Sequence, residues 1–528
     1  MRINELICAA AALLAALAVP VGTIAQDGQV PTQNHRHYKL IDIGTFGGPN
    51  SSFVLPSPGG RLLNNSGEAA GGADTSTPDP SSCLNFDCYL SYGFQWQDGF
   101  ANQLSALPGF NSSSPFWISD TGLVAGLSEN GIDPLTGSLA QEAILWGNDG
   151  SLTDLGTLGG NDSVAGAVNN RGQVAGGALN TIPDPYTSNF FISGATQVHA
   201  FRWTKSQGMQ DLGTLGGTDS NAFEINNRGQ IGGWSFTNST VNPVTGIPKL
   251  DPFLWENGKM LDLGTLGGTV ALSFALNNRG QVAGRSNMAG ELTCHPFLWE
   301  QNRGMQDLGT LGGDSGFATW LNDSGEVVGV SNLPGVSGCD DGAAPHHAFL
   351  WKKGVMTDLG TADGDPCSYA VGINSKGQVV GSSTDCTNYV HASLWEDGGP
   401  MVDLNGLITS NSGVQLTLAL YINDSGEIAA HGTLPNGDQH AFLLVPCGTG
   451  ADDMQCSEEG GDSTRAPHVK SGTKGKVESS PHGSSHGRRT QRGLTENKNL
   501  RIRDTMPVRG SLMNRRILRG EVPPDPIL

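Results

Sequence analysis

Between residues 38 and 446 the chain is written in short apolar or alternating runs of four to seven residues, each closed by a glycine-containing turn. The stretch 347–381 shows the pattern. His347-Ala348-Phe349-Leu350-Trp351 reads as a short aromatic strand, and a turn at Lys352–Gly354 leads into a second strand, Val355–Leu359. A glycine-rich loop opens into a third, Cys367–Ile373, and Asn374-Ser375-Lys376-Gly377 supplies a tight turn. There Asn tolerates left-handed geometry and Gly adopts positive φ. Gln378–Gly381 completes a fourth strand. No run keeps a 3.6-residue apolar period, so the pattern predicts an all-β chain.

The same unit recurs. DLGTLGG begins at Asp154, Asp211, Asp262 and Asp307, with weaker copies at Asp42, Gln103, Asp358 and Asp403. The turn Asn-Asn-Arg-Gly stands at 169–172, 226–229 and 277–280, with variants at 64–67, 119–122, 322–325, 374–377 and 423–426. An aromatic phrase ends at Trp96, Trp146, Trp203, Trp255, Trp299, Trp351, Trp395 and Leu444. Each phrase occurs eight times in constant order, and the turn glycines lie 55, 50, 57, 51, 45, 52 and 49 residues apart. Four strands in about 50 residues match one blade of a propeller, whereas a β-solenoid coil takes fewer residues. The array starts midway through a unit, at Tyr38–Gly44, and stops after a lone aromatic strand, His440–Val445. Those fragments sum to one unit. The expectation is a β-propeller of about eight four-stranded blades, its ring closed by pairing of the N- and C-terminal strands, which removes an exposed edge.

These phrases resemble the HAF-repeat family of bacterial extracellular proteins, through His-Ala-Phe at 199–201, 347–349 and 440–442. The resemblance covers 38–446 and is weakest in the second unit, where Gln103-Leu104-Ser105 replaces Asp-Leu-Gly. It implies secretion and a repeat architecture, and no activity.

The flanks differ from the array. Arg2, the apolar run Ile7–Val19 and Thr23-Ile24-Ala25 have the form of a signal peptide, 1–25. The run is interrupted by Pro20 and Gly22, and no later segment is long enough to span a bilayer, so the mature chain is expected to have no membrane span. The expected destination is the extracellular space or the periplasm. Residues 447–528 are rich in Gly, Ser, Pro and charge, as in a disordered tail. Residues 465–528 carry a balance of +9 within a chain of net charge −20, which leaves −29 on the rest. An acidic body of that kind repels nucleic acid and attracts cations and basic partners.

Eight cysteines follow the leader, an even number suited to disulfides in an exported chain. Cys83–Cys88 and Cys447–Cys456 suit local loops. Cys294–Cys339 and Cys367–Cys386 are one pairing of the remaining four, since spacing does not fix connectivity. No CxxC pair points to structural zinc.

The repeated acids, from Asp154 to Asp358, are expected to cap the Gly-Thr turn that follows each of them. The repeated His199, His295, His347, His391 and His440 are expected to pack or hydrogen-bond in place, and the repeated tryptophans to fill the contacts between blades. No metal and no cofactor are assigned. The connections fall into two sets, one short and uniform and the other long and variable. The long set includes 73–92, 128–141, 178–198, 235–250, 331–346 and 382–390. Variable loops on a rigid scaffold are where binding concentrates. The candidate binding residues there are Tyr89, Tyr92, Asp184, Tyr186, Trp234, Asp340, Asp341 and Tyr389. No catalytic residue is assigned: the chain has no GxSxG elbow, HExxH helix, phosphate-binding loop or dinucleotide fingerprint. The expected function is a non-enzymatic secreted scaffold that contacts a protein or glycan through one propeller face. The alternative is a secreted propeller enzyme, a hydrolase or lyase acting on glycans.

Overall fold

The computed structural model describes residues 35–53, 60–79, 89–132, 139–184, 196–339, 345–396, 398–409, 412–448 and 456. Residues 1–25, expected to be a signal peptide, and the tail beyond Gly448, apart from Cys456, lie outside the described residues.

The chain forms a β-propeller of eight four-stranded antiparallel units. In each, the first strand after a DLGTLGG loop or its weaker copy lies innermost, and the outermost strand ends in Asp except in the first blade, where it is Phe100–Leu104. The fourth blade shows the order: Ser220–Ile225, Ile231–Val241, Pro248–Glu256 and Lys259–Asp262. It is joined to the fifth by a single parallel bridge, Leu250–Val270. The aromatic phrase therefore sits third from the centre. The eighth blade takes Gln415–Ile422, Ile428–Thr433 and Gln439–Pro446 from the end of the array. Its outermost strand is Tyr38–Asp42 from the start, with Tyr38 opposite Pro446 and Asp42 opposite Phe442.

The repeated phrases are accounted for by packing. The second strand of the third blade carries Gly176 opposite Ala165; a Cβ at Gly176 would collide with the Val164 carbonyl and press on the Phe201 ring. Gly329 stands in the same way between Phe317 and Phe349. The glycine lets the inner strands approach, and the phenylalanine of the aromatic phrase fills the space behind it, fully buried at Phe201 and Phe349.

The turn asparagines link the blades. Asn169 accepts the Arg171 and Gln173 amides at Oδ1, and its Nδ2 donates to the Asn226 carbonyl of the next blade at 3.0 Å. Asn226 donates in turn to Asn277 O, Asn277 to Asn322 O, Asn322 to Asn374 O and Asn374 to Asn423 O. Asn423 donates to Asn64 O at 3.0 Å, from the eighth blade to the first, and Asn64 to Ser119 O. Ser119 lacks the amide, and there the Asp120 N–H donates to Asn170 Oδ1. Each buried side chain thus satisfies its own turn and its neighbour's carbonyl, which is why the residue recurs.

The residue two places before each turn reaches toward the centre, and here the repeat is not uniform. Trp117 of the second blade and Trp320 of the sixth meet across the ring with centroids 6.3 Å apart. The equivalent residue of the fourth blade is Glu224, and of the eighth, Tyr421. The odd-numbered blades place Leu62, Ala167, Ala275 and Gly372 there.

Candidate functional site

Strand direction divides the connections between two faces. Turns from the first to the second strand and from the third to the outermost share one face. They are short except between Ser52 and Ala69 in the first blade, and they carry cations including Arg171, Arg228, Arg279, Lys353 and Lys376. The other face holds the connections from second to third strand and from each outermost strand to the next blade. None of these sixteen connections contains Lys or Arg, while they include Asp162, Asp219, Asp314, Asp363, Asp365 and Asp438. The nearest cation, Lys249 at the start of a third strand, is already ion-paired with Asp251. The long-connection face is therefore anionic, and clustered like charge concentrates counter-ions and cationic partners.

Five histidines stand on this face. His199, His295, His347 and His440 share Nδ1 protons with Asp211, Asp307, Asp358 and Asp42 at 2.8–2.9 Å. The same carboxylates accept the Gly213, Gly309, Gly360 and Gly44 amides. Burial opposes ionisation of Asp211 and Asp307, but the paired histidine and the glycine amide outweigh it, and both carboxyls lie below the usual range. Capping and local hydrogen bonding explain these repeated Asp and His residues.

The seventh blade breaks the pattern. Its loop reads Thr361-Ala362-Asp363-Gly364-Asp365 where four other blades have Thr-Leu-Gly-Gly. His391 bonds through Nδ1 to Asp365 at 2.8 Å, while Asp403, in the place of the usual partner, accepts the Asn405 amide. The Asp365 hydrogen bond, assisted by the charges of Asp403 and Asp363, lifts the His391 imidazole above its ordinary value. Burial lifts the Asp403 carboxyl. Asp363, His391 and Asp403 bring three donor atoms within 4.8 Å of one another. One imidazole and two carboxylates can hold a divalent cation, with Asp365 orienting the ring from behind. Sequence reasoning treated His391 as one more repeated histidine. The signal was the pair of aspartates in a loop that elsewhere carries glycine.

The candidate residues read from the sequence do not converge. Tyr89 and Tyr92 belong to the third strand of the first blade, Tyr89–Gln97. Burial, with the Glu129 charge, raises the Tyr92 phenol. Asp184 follows the second strand of the third blade and is buried. Tyr389 opens the third strand of the seventh blade, 43 % exposed, its ring edge-on to Tyr369 at 6.3 Å. Trp234 is a correction: it lies inside the strand Ile231–Val241, 1 % exposed and 5.6 Å from Phe236, so it is core and has no surface to offer a partner. Tyr186, Asp340 and Asp341 lie outside the described residues. Cys294–Cys339, Cys367–Cys386 and Cys447–Cys456 are disulfide-bonded, and Cys83 and Cys88 lie outside the described residues. No helix among the described residues is long and apolar enough to cross a membrane.

No family model and no curated protein matches the chain. Among solved structures, it is similar to the β-propeller domain of the Trilobed protease from Pyrococcus furiosus, an open velcro topology. That match has 9 % identity over 77 % of this chain and 93 % of that one, with a TM-score of 0.36. A sucrose-6-phosphate hydrolase from Lactobacillus gasseri matches at 10 % identity over 78 % and 93 % of the two chains, TM-score 0.27. The Kuenenia stuttgartiensis hydrazine synthase matches at 10 % over 58 % and 48 %, TM-score 0.31. Likenesses this distant carry no argument about activity.

Proposed function

We propose that this protein is a secreted, non-enzymatic binding scaffold that presents its long-connection face to a protein or glycan outside the cell. Three disulfides support an oxidising destination. The observation that carries the binding surface is the absence of Lys and Arg from all sixteen connections on that face. Such a surface favours a cationic segment of a protein partner, and the Asp363–His391–Asp403 group gives it a focus.

Biolayer interferometry of the full chain against a Lys/Arg-rich peptide and a Glu-rich peptide of equal length tests this. The expected result is binding of the basic peptide alone, weakening as salt rises, because exposed charges are screened within about 10 Å at 0.1 M salt. Asp363→Asn, Asp365→Asn and Asp438→Asn together should weaken it further. Equal binding of both peptides would overturn the reading. So would turnover of a glycan that disappears with the same substitutions.

A further inference from the structure

The seventh blade also departs from the repeat at its outer edge. Its outermost strand is only Val402–Asp403, against four residues in the fourth, fifth and sixth blades. The preceding Gly398-Gly399-Pro400-Met401 leaves the ladder, as Pro400 has no N–H to donate and the glycines have no side chain to pack. A cavity of about 910 Å³ lies there, between the sixth and seventh blades, running from the short turns at Lys353 and Lys376 to Gly360 and Thr361. That volume is within the range of small-molecule sites.

Its chemistry shows in two differences from the third and fourth blades. At the seam of the third and fourth blades, the Arg202 guanidinium lies over the Trp255 ring at 5.7 Å. The residue in the place of Arg202 is Leu350 in the sixth blade, as it is leucine in the second, fourth, fifth, seventh and eighth, and Trp395 lines the cavity with no guanidinium over its ring among the described residues. In the fourth blade, Arg228 of the turn pairs with Glu256 at 3.6 Å. In the seventh, the corresponding Glu396 accepts from Gln378 at 2.7 Å, and the corresponding Lys376 has no carboxylate partner among the described residues. Lys353, across the cavity, has none among them either. The nearby acids are occupied: Glu326 by Lys352 and Asn322, and Asp358 by His347 and the Gly360 amide.

The cavity is therefore lined by the Trp395 indole, by Leu350, Leu359 and Met401, by two ammonium groups without a carboxylate partner among the described residues, and by Thr357 and Thr361. We propose that it binds an acidic sugar, a hexuronate unit of an oligosaccharide. The apolar face of the sugar ring stacks on Trp395, its carboxylate lies between Lys353 and Lys376, and its hydroxyls reach the threonines. Inorganic phosphate would satisfy the lysines and leave the indole bare. A neutral sugar would do the reverse. This site shares with the anionic face the connection that begins at Leu359, but its two ammonium groups do not depend on the reading given to that face.

Titration calorimetry of the full chain with trigalacturonate, with a neutral trisaccharide and with inorganic phosphate tests it. The expected order is trigalacturonate well ahead of both others, with a change in tryptophan fluorescence on binding. Lys353→Glu with Lys376→Glu, both exposed and checked by an unchanged melting temperature, should weaken trigalacturonate about tenfold or more. The basic tail is intact in that variant, so any binding by the tail cancels in the comparison. Undiminished binding by the lysine variant, equal affinity for the neutral trisaccharide, or phosphate binding as tight as trigalacturonate would each overturn the proposal.

Discussion

Replacing Glu224 by Gln should remove a large pH dependence of stability. Glu224 stands on the innermost strand of the fourth blade, 1 % exposed, and neither carboxyl oxygen has a hydrogen-bond partner among the described residues. Opposite it is Gly232, where a Cβ would come within 2.6 Å of Oε2; the other blades carry Ala or Val at that place. Glycine there gives the carboxyl its room. Burial pushes the Glu224 carboxyl up to about 8 from an ordinary 4.5. The folded state therefore holds the proton more tightly than the unfolded chain. Its contribution to stability is full below about pH 4.5 and is lost as pH rises through about 8. At ~1.4 kcal/mol for each pH step of one across that interval, the loss reaches about 5 kcal/mol, comparable with the whole net stability of many domains. Gln has nearly the same shape and does not titrate. Guanidinium unfolding followed by tryptophan fluorescence at pH 5.5, 6.5, 7.5 and 8.5 provides the assay. The difference between the Glu224→Gln variant and wild type should widen in favour of the variant by up to ~1.4 kcal/mol per pH unit. Other titrating groups are common to both proteins and cancel. Parallel stability profiles would refute the reasoning, because they would mean that the carboxyl finds solvent or a partner in the folded state.

The seam between the eighth and first blades has the opposite pH sense. His431 accepts the Phe53 amide at Nε2 (2.9 Å) and stacks on the Phe53 ring, and burial lowers its imidazole to about 4. Its contribution is present above about pH 6.5 and lost as pH falls through about 4. The residue keeps some surface, so ~1–2 kcal/mol is expected of a ceiling of ~3; His431→Gln should flatten this limb in unfolding measured from pH 7 to 4. Asn423→Ala removes the bond to Asn64 O, two turn amides and the contact with Glu427 Oε2. At ~1 kcal/mol for each bond lost, it should cost about 2–4 kcal/mol in unfolding free energy; a change below about 0.5 kcal/mol would show that the linkage between blades carries no stability. Cys294→Ser with Cys339→Ser opens a 45-residue loop. By loop entropy this should lower stability by about 4 kcal/mol, matched by the effect of reductant on the wild type under the same denaturant.

The sequence made most of the fold legible because the repeat is redundant. Eight copies of one pattern let a weak turn, such as Ser119–Gly122, be identified by its place between stronger ones. Two broken units, Tyr38–Gly44 and His440–Val445, implied the pairing that the structure shows between Tyr38–Asp42 and Gln439–Pro446. The Asp-to-glycine caps followed from local chemistry alone. Contacts between blades did not: nothing local indicates that the Asn169 amide reaches the Asn226 carbonyl 57 residues away. Trp234 was misplaced for a related reason. The strand continues to Val241, beyond the four residues expected from shorter copies, and its tryptophan turns into the core.

Redundancy also explains where binding chemistry is to be sought. A side chain that most blades repeat is fixed by a requirement those blades share, and His199, Asp211 and Asn226 each meet one through hydrogen bonds within or between blades. A residue free of that requirement can be shaped by something outside the fold. The seventh blade holds two such departures: Asp363 and Asp365 around His391, and the Gly-Gly-Pro segment at its outer edge. Neither stabilises the ring in any way the regular blades do not achieve with commoner residues. A blade built only to close the ring would keep Leu-Gly-Gly in its loop and a four-residue outer strand. The seventh keeps the inner strands and changes both outer connections, which is the pattern expected when the scaffold is held constant and its edges serve ligands.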